Sequence, residues 1–305
     1  MPASAPLRIV FIDMNAGVQN QAMRCLASVV SHFEAAARRD NPGLRIEERR
    51  VSPRDTGEAP PRDGDLYIAT GGPGSPWEGP GTRWYDDFRR FVDVVLDEQE
   101  RGLAVAKSLF PICYSYELLT MHLELARVEE RDDRKFGVMP VYTTTAGRVH
   151  PLLAPFGDRL FAFEHRHWEV VDFDEAKLAR LHGQVLATES REGRSDKGSA
   201  VLGFHIGRAI ETVQFHPEAD LSGIFHWLDQ PEHSQAFRDA YGEETYQRML
   251  RTLHNPRRVQ RVHAELIPGW MRRRFNAMAE ERGYNRIEED PPIESSVLAS
   301  PIPLA

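Results

Sequence analysis

Apolar runs of strand length alternate with stretches of helical periodicity through the first 125 residues, and this alternation limits the fold more than any other feature. Residues 8–14 (RIVFIDM) and 65–70 (DLYIAT) are nearly unbroken runs of strand-forming side chains. Between them, Ala22, Leu26, Val29, Val30 and Phe33 recur at helical spacing, and an extended stretch at 44–51 alternates apolar and polar residues. Trp84, Phe88, Phe91, Val94, Val95 and Leu96 repeat the helical pattern. Residues 108–113 (SLFPIC) then read as a short strand and 117–125 as the helix behind it. Strands without a polar face need cover on both sides. The expected fold is α/β, a doubly wound, mostly parallel sheet with helices on both faces.

The second half is richer in strands, expected at 138–143, 159–163, 184–188, 200–205 and 209–215. Beyond Asp220 the pattern turns helical, at 237–253 and 256–283, with a break at Asn255-Pro256. A Pro-rich flexible tail closes the chain. The division expected is a core domain over 1–228, a helical extension over 229–288 and the tail over 289–305. A formal charge of −8 offers no attraction to nucleic acid or to an anionic membrane surface. No apolar run approaches the ~18 residues of a membrane helix, and residues 1–6 lack the pattern of a secretory signal. The two cysteines, Cys25 and Cys113, supply no disulfide framework, which fits a reducing cytoplasm. The expectation is a cytoplasmic protein.

Ligands of open α/β sheets gather beyond the carboxyl ends of the strands. Three groups lie at such ends: 71–76 (GGPGSP), Cys113 and His216. Cys113 sits where a short strand runs straight into a helix, a turn that lifts a side chain clear and favours the thiolate over the thiol. A thiol nucleophile needs a base, and the base needs an orienting group. His216 follows the strand ending at Phe215, and Glu218 stands two residues on, within reach of the imidazole. Taken singly, Cys113 reads as a small core residue and His216 as structural. Together they fit one chemistry.

In their order and spacing, Gly71-Gly72-Pro73-Gly74-Ser75-Pro76, Ile112-Cys113-Tyr114 with Glu117-Leu118-Leu119, and Val213-Gln214-Phe215-His216-Pro217-Glu218 resemble the class I (triad) glutamine amidotransferases. The likeness is closest to the amidase domain of GMP synthase and its stand-alone relatives, and covers residues 7–220. It implies a flavodoxin-like core in which Cys113 attacks the side-chain amide of glutamine, forming a glutamyl thioester and releasing ammonia. His216 would be base and then acid, and Glu218 its orienter. Gly72 and Tyr114 would supply oxyanion-hole N–H groups, with Gly74, Glu117, His167 and Glu169 lining the substrate pocket. The segment 163–170 (FEHRHWEV) matches the family's pocket loop, with Trp168 in place of glycine; an ordinary polar loop is the alternative.

This chain departs from the family around the nucleophile. Pro111 and Ser115 stand where the family has glycine, and Glu117 where it has glutamine. A carboxylate at Glu117 opposes both a thiolate and a substrate carboxylate, so free glutamine should be handled poorly. The expected function is therefore a thiol amidase acting on glutamine or a related amide and delivering ammonia to an acceptor on a synthetase partner chain. No ATP-binding glycine loop and no cofactor motif appear in the sequence. The alternatives are a thiol hydrolase or acyltransferase with another substrate, and a degenerate binding or regulatory protein. A metal site at His165 and His167 ranks low, since two histidines rarely suffice. Cys25 reads as core. The arginines of 257–286 read first as a helical surface packed on its own core, and second as a docking surface.

Overall fold

The computed structural model describes residues 5–103, 107–190, 199–255 and 257–288. The Pro-rich tail expected at 289–305 lies outside the described residues. Among these residues, nine strands form one mixed sheet in the order β2-β1-β3-β4-β9-β8-β7-β5-β6. They are β1 (Leu7–Ile12), β2 (Ile46–Val51), β3 (Leu66–Ala69), β4 (Ser108–Pro111), β5 (Arg127–Thr143), β6 (Arg159–Val171), β7 (Gly183–Thr188), β8 (Val201–Ile206) and β9 (Ile210–Val213). Pairing is parallel from β2 through β9, the half that carries the expected site, and antiparallel beyond it.

Strand alternation divides the apolar residues between two cores. Leu7, Ile9 and Phe11 of β1 point to one face, while Val10 and Ile12 point to the other. The first face is covered by α1 (Ala22–Asp40) through Leu26, Val29 and Phe33. On the second lie α3 (Arg83–Glu100) and α4 (Tyr114–His122), through Phe88, Phe91, Leu118 and Leu119. Before α3, the chain after β2 makes one short turn of helix, α2 (Pro53–Thr56), with Pro53 at its start. Short helices α5 (Thr145–Val149) and α6 (Glu175–Arg180) connect later strands.

The antiparallel half differs from the sequence expectation in one respect. The segment 163–170, expected as a loop, and residues 127–137, for which the sequence suggests no element, belong to the outer parts of a long β5–β6 hairpin. Their charges hid the strand pattern because they pair with one another: Arg166 with Glu164 and Glu189, Lys135 with Glu189, and Arg131 with Glu169. The helical segment expected at 237–253 is two helices, α8 (Pro231–Tyr241) and α9 (Glu243–Leu253), broken at Gly242 with φ +80°. With α7 (Leu221–Leu228) they bury Phe237, Met249 and Leu253 against Phe136 and Val138 of the hairpin, a third apolar cluster.

The last helix, α10 (Val259–Met278), joins the first core directly. Its Trp270, Met271 and Phe275 are fully buried there, and the Trp270 ring lies 5.2 Å from Phe110 of β4. Its arginines hold it to the domain: Arg273 donates to Glu211, Arg274 to the Arg208 carbonyl, and Arg282 beyond the helix pairs with Asp65. This arrangement matches the first reading of the Arg-rich segment, a helical surface packed on its own core. No helix among the described residues is long and apolar enough to cross a membrane. Because Trp270 fills the core beneath β4, Trp270→Ala should lower unfolding stability by roughly 3–5 kcal/mol, read from the denaturant midpoint at unchanged m-value.

Candidate active site

Register places the site. Ala69 of β3 pairs with Pro111 of β4, and Ile112 bridges Val213 at the end of β9. Two residues past Ala69 comes Gly71, two past Pro111 comes Cys113, and one past Val213 comes Gln214, so all three emerge side by side. Cys113 donates its backbone N–H to Val213 O at 2.9 Å. A Cβ on Gly71 would meet His216 Cε1 at 2.8 Å and Cys113 Cβ at 3.4 Å, so both side chains flank one point that only glycine leaves open.

Cys113 has φ 51° and ψ −106°, a strained conformation for a residue with a side chain, and it caps the start of α4. The turn is fixed by Ser115 N–H donating to Ile112 O at 3.1 Å and Glu117 N–H to Cys113 O at 3.0 Å. His216 donates from Nδ1 to Glu218 Oε1 at 2.8 Å, and its ring lies beside the Cys113 side chain, both of them against Gly71. Burial alone would push the imidazole toward neutrality; the charges of Glu218 and Cys113 outweigh it and hold the His216 pKa well above its ordinary value. The His216 N–H is fixed by Phe163 O at 2.8 Å, and His263 of α10 donates to Glu218 O at 2.9 Å.

Gly72 N–H and Tyr114 N–H have no protein acceptor among the described residues. Gly72 passes so close to β1 that a Cβ would lie 2.2 Å from Met14 O, which no other residue allows. The departures seen in sequence each find a partner. Ser115 Oγ donates to Thr70 O at 2.6 Å. Thr212 Oγ1 donates to Pro111 O at 2.8 Å. Glu117 is buried, and Gln214 Nε2 donates to its Oε1 at 2.9 Å while lying 3.6 Å from Cys113 Sγ. Burial pushes the Glu117 carboxyl up to about 7, although Gln214, Arg166 and His216 oppose the rise.

The other expected pocket residues are dispersed. Gly74 lies beside Glu78 and Arg54, behind the loop. Glu169 is buried in its ion pair with Arg131 on the hairpin, and His167 is exposed near Arg134. His165 is the histidine of this strand that lies near His216, with burial, Arg134 and His216 pushing its pKa down to about 3. Strand alternation carries the signal, since Phe163 and His165 share a face and the Phe163 ring lies 6.2 Å from His216. Sequence reasoning also passed over Gln214 as a contact of the thiol. Among the described residues no group of three or more metal-ligating side chains could hold an ion.

Solved structures similar to this one include two glutamine amidotransferases and a glutaminase domain. One from Thermotoga maritima superposes with TM-score 0.55 at 15% identity, over 88% of this chain and 98% of that one. Another, from Methylobacillus flagellatus, gives 0.53 at 13%, over 94% and 98%. The glutaminase domain of Trypanosoma brucei CTPS, with bound acivicin, gives 0.51 at 15%, over 70% and 86%. No family profile and no curated protein matches the sequence. The fold is thus the class I glutamine-amidotransferase-like α/β fold.

Glu117 makes a stability prediction with a definite sign. A carboxyl raised from 4.5 to about 7 in the folded state binds its proton more tightly folded than unfolded. Its contribution is intact below pH 4.5 and is lost as pH rises through the folded value. Glu117→Gln keeps the Gln214 acceptor and cannot ionise. The stability difference between variant and wild type should therefore shift by about 3 kcal/mol in favour of the variant between pH 4 and pH 8.5, measured by denaturant unfolding at both pH values.

Proposed function

We propose that this protein is a thiol amidase acting on the side-chain amide of glutamine, or a closely related amide, with Cys113, His216 and Glu218 as its triad. The observation that carries the reading is His216, hydrogen-bonded to the Glu218 carboxylate, lying beside Cys113 at a strained strand-to-helix turn. Cys113 passes its proton to His216 and attacks the amide carbon. The new C–S bond puts negative charge on the carbonyl oxygen, beside the free N–H groups of Gly72 and Tyr114. The C–N bond then breaks, the proton on His216 goes to the leaving nitrogen, and ammonia departs. Water, deprotonated by the same imidazole, opens the thioester and restores the thiol.

The fold is that of solved glutamine amidotransferases and of a glutaminase domain, which supports a substrate of this kind. On this reading ammonia passes to an acceptor on a synthetase partner chain, and the protein works in the cytoplasm. Gly74, His167 and Glu169 stand apart from one another, while Glu117 stands close enough to act on the substrate through Gln214. A second reading, a thiol hydrolase or acyltransferase on a non-glutamine substrate, is favoured by the Glu117 carboxyl itself.

Ammonia release from glutamine and from a panel of other amides tests both readings. Cys113→Ala should lower turnover by on the order of 10⁴-fold or more with any accepted substrate. Glutamine turnover by wild type should fall relative to Glu117→Gln as pH rises past about 7. The variant should lead by about tenfold at pH 8.5, as expected for removing one nearby like charge. Release from another amide but not glutamine, in both proteins, would establish the second reading.

A further inference from the structure

We propose that Arg54 is the positioning residue of the oxyanion hole, acting through the backbone that carries Gly72 and Tyr114. The inference rests on the amidase reading and extends it to a residue outside all three motifs. Arg54 belongs to the one-turn helix α2, in a stretch whose prolines read as an ordinary turn. Its side chain is only 8% exposed, yet the carboxylate it pairs with among the described residues, Glu78, is 3.7 Å away and itself exposed. A guanidinium buried this far is held by what it donates to and stacks on.

Those partners are the walls of the site. Arg54 Nη1 donates to Met14 O at 2.9 Å and to Pro73 O at 2.7 Å. Met14 O is the atom against which Gly72 is pressed, and Pro73 follows Gly72 directly. The guanidinium lies 4.3 Å from the centre of the Tyr114 ring, on the residue whose N–H is the second donor. One side chain thus bridges the end of β1, the Gly72 loop and the first residue of α4. Loop and elbow otherwise meet through Ser115 Oγ on Thr70 O and through Tyr114 OH on Ser75 O at 3.4 Å. The loop donor, the Gly72 N–H, lies in the Gly71–Gly72 peptide, whose carbonyl accepts from Thr70 Oγ1 at 2.8 Å; Arg54 holds the chain on the other side of Gly72, at Pro73 O and at Met14 O, so the donor is fixed from both sides.

The test separates a reaction that builds an oxyanion from one that does not, and needs no knowledge of the natural substrate. With 4-nitrophenyl acetate, the thiolate attacks the carbonyl carbon, an oxyanion forms, and nitrophenolate leaves to give the acetyl thioester. With iodoacetamide, a C–S bond forms at a saturated carbon as the C–I bond breaks, iodide leaves, and no oxyanion appears. In both, the thiol proton goes to His216. In Arg54→Met, acylation of Cys113 should fall at least tenfold, toward the ~10²-fold typical of a lost donor. Alkylation of Cys113 should stay within twofold and remain faster than that of Cys25, which also reports an intact fold. Arg54→Lys, keeping a donor and the charge, should recover part of the acylation rate. Acylation unchanged in Arg54→Met, or both reactions falling together, would overturn the inference alone. A wild type whose Cys113 acylates no faster than Cys25 would overturn the amidase reading and this inference with it.

Discussion

Parallel rungs from β3 through β4 to β9 decide which residues emerge together at the strand ends, and the site depends on that register. The rungs are held by alternation into two cores. Phe110 and Ile112 face the cluster under α1 and α10, while Leu109 faces the cluster under α3 and α4. A slip of one residue would exchange those faces and bury the wrong set. The same slip would part Cys113 from Gln214 and from Gly71. Packing of the core thus sets the geometry of the chemistry, and Trp270 against Phe110 shows α10 taking part in it.

Local strain is the second constraint. A side-chain-bearing residue at positive φ costs on the order of 1–3 kcal/mol, and persists only where its surroundings leave it no alternative. Cys113 meets that condition: its N–H is held by Val213 O, and Ser115 and Glu117 close the turn behind it. His216 is fixed in a comparable way, from Phe163 on its backbone and Glu218 on its ring, with His263 holding the Glu218 peptide. A long helix from outside the amidotransferase-like segment therefore touches Glu218, the residue that holds the His216 ring.

The parallel half of the sheet was legible in the sequence because buried strands leave an apolar run that nothing else produces, as at 8–14 and 65–70. The same holds for Cys113, His216 and Glu218, whose spacing along the chain carries through to their meeting in space. The hairpin was not legible. Its outer strands hold Arg131, Lys135, Glu164, Arg166 and Glu169, residues that one sequence presents as solvated and only the paired strands show to be neutralised. Reading 163–170 as a loop also left the direction of its side chains open: a loop can turn any residue inward, whereas a strand sends Phe163 and His165 one way and Glu164 and Arg166 the other. Arg54 was invisible for another reason. Its partners are carbonyl oxygens, which no side-chain pattern records.

The departures from the family at the elbow bear on whether this is a working site or a decayed one. Each changes the polar inventory of a closed space: Pro111 deletes a donor, Ser115 adds a hydroxyl, and Glu117 exchanges an amide for a carboxyl. Unpaired, such groups cost a few kcal/mol apiece when buried. In a pocket no longer used, mutations would accumulate without partners or open the space to water. Here Thr212 covers the Pro111 carbonyl, Thr70 receives Ser115, and Gln214 meets Glu117. Among the described residues, the buried polar atoms without a protein partner in this corner include Gln214 Oε1 and Glu218 Oε2, both acceptors near Cys113 and His216. A neutral Glu117 can donate its own O–H, which lets the Gln214 amide turn either end toward it. With the carboxylate ionised only the N–H end fits, and that end also faces the sulfur. The charge on Glu117 therefore reaches Cys113 both directly, through space, and through the orientation of one amide.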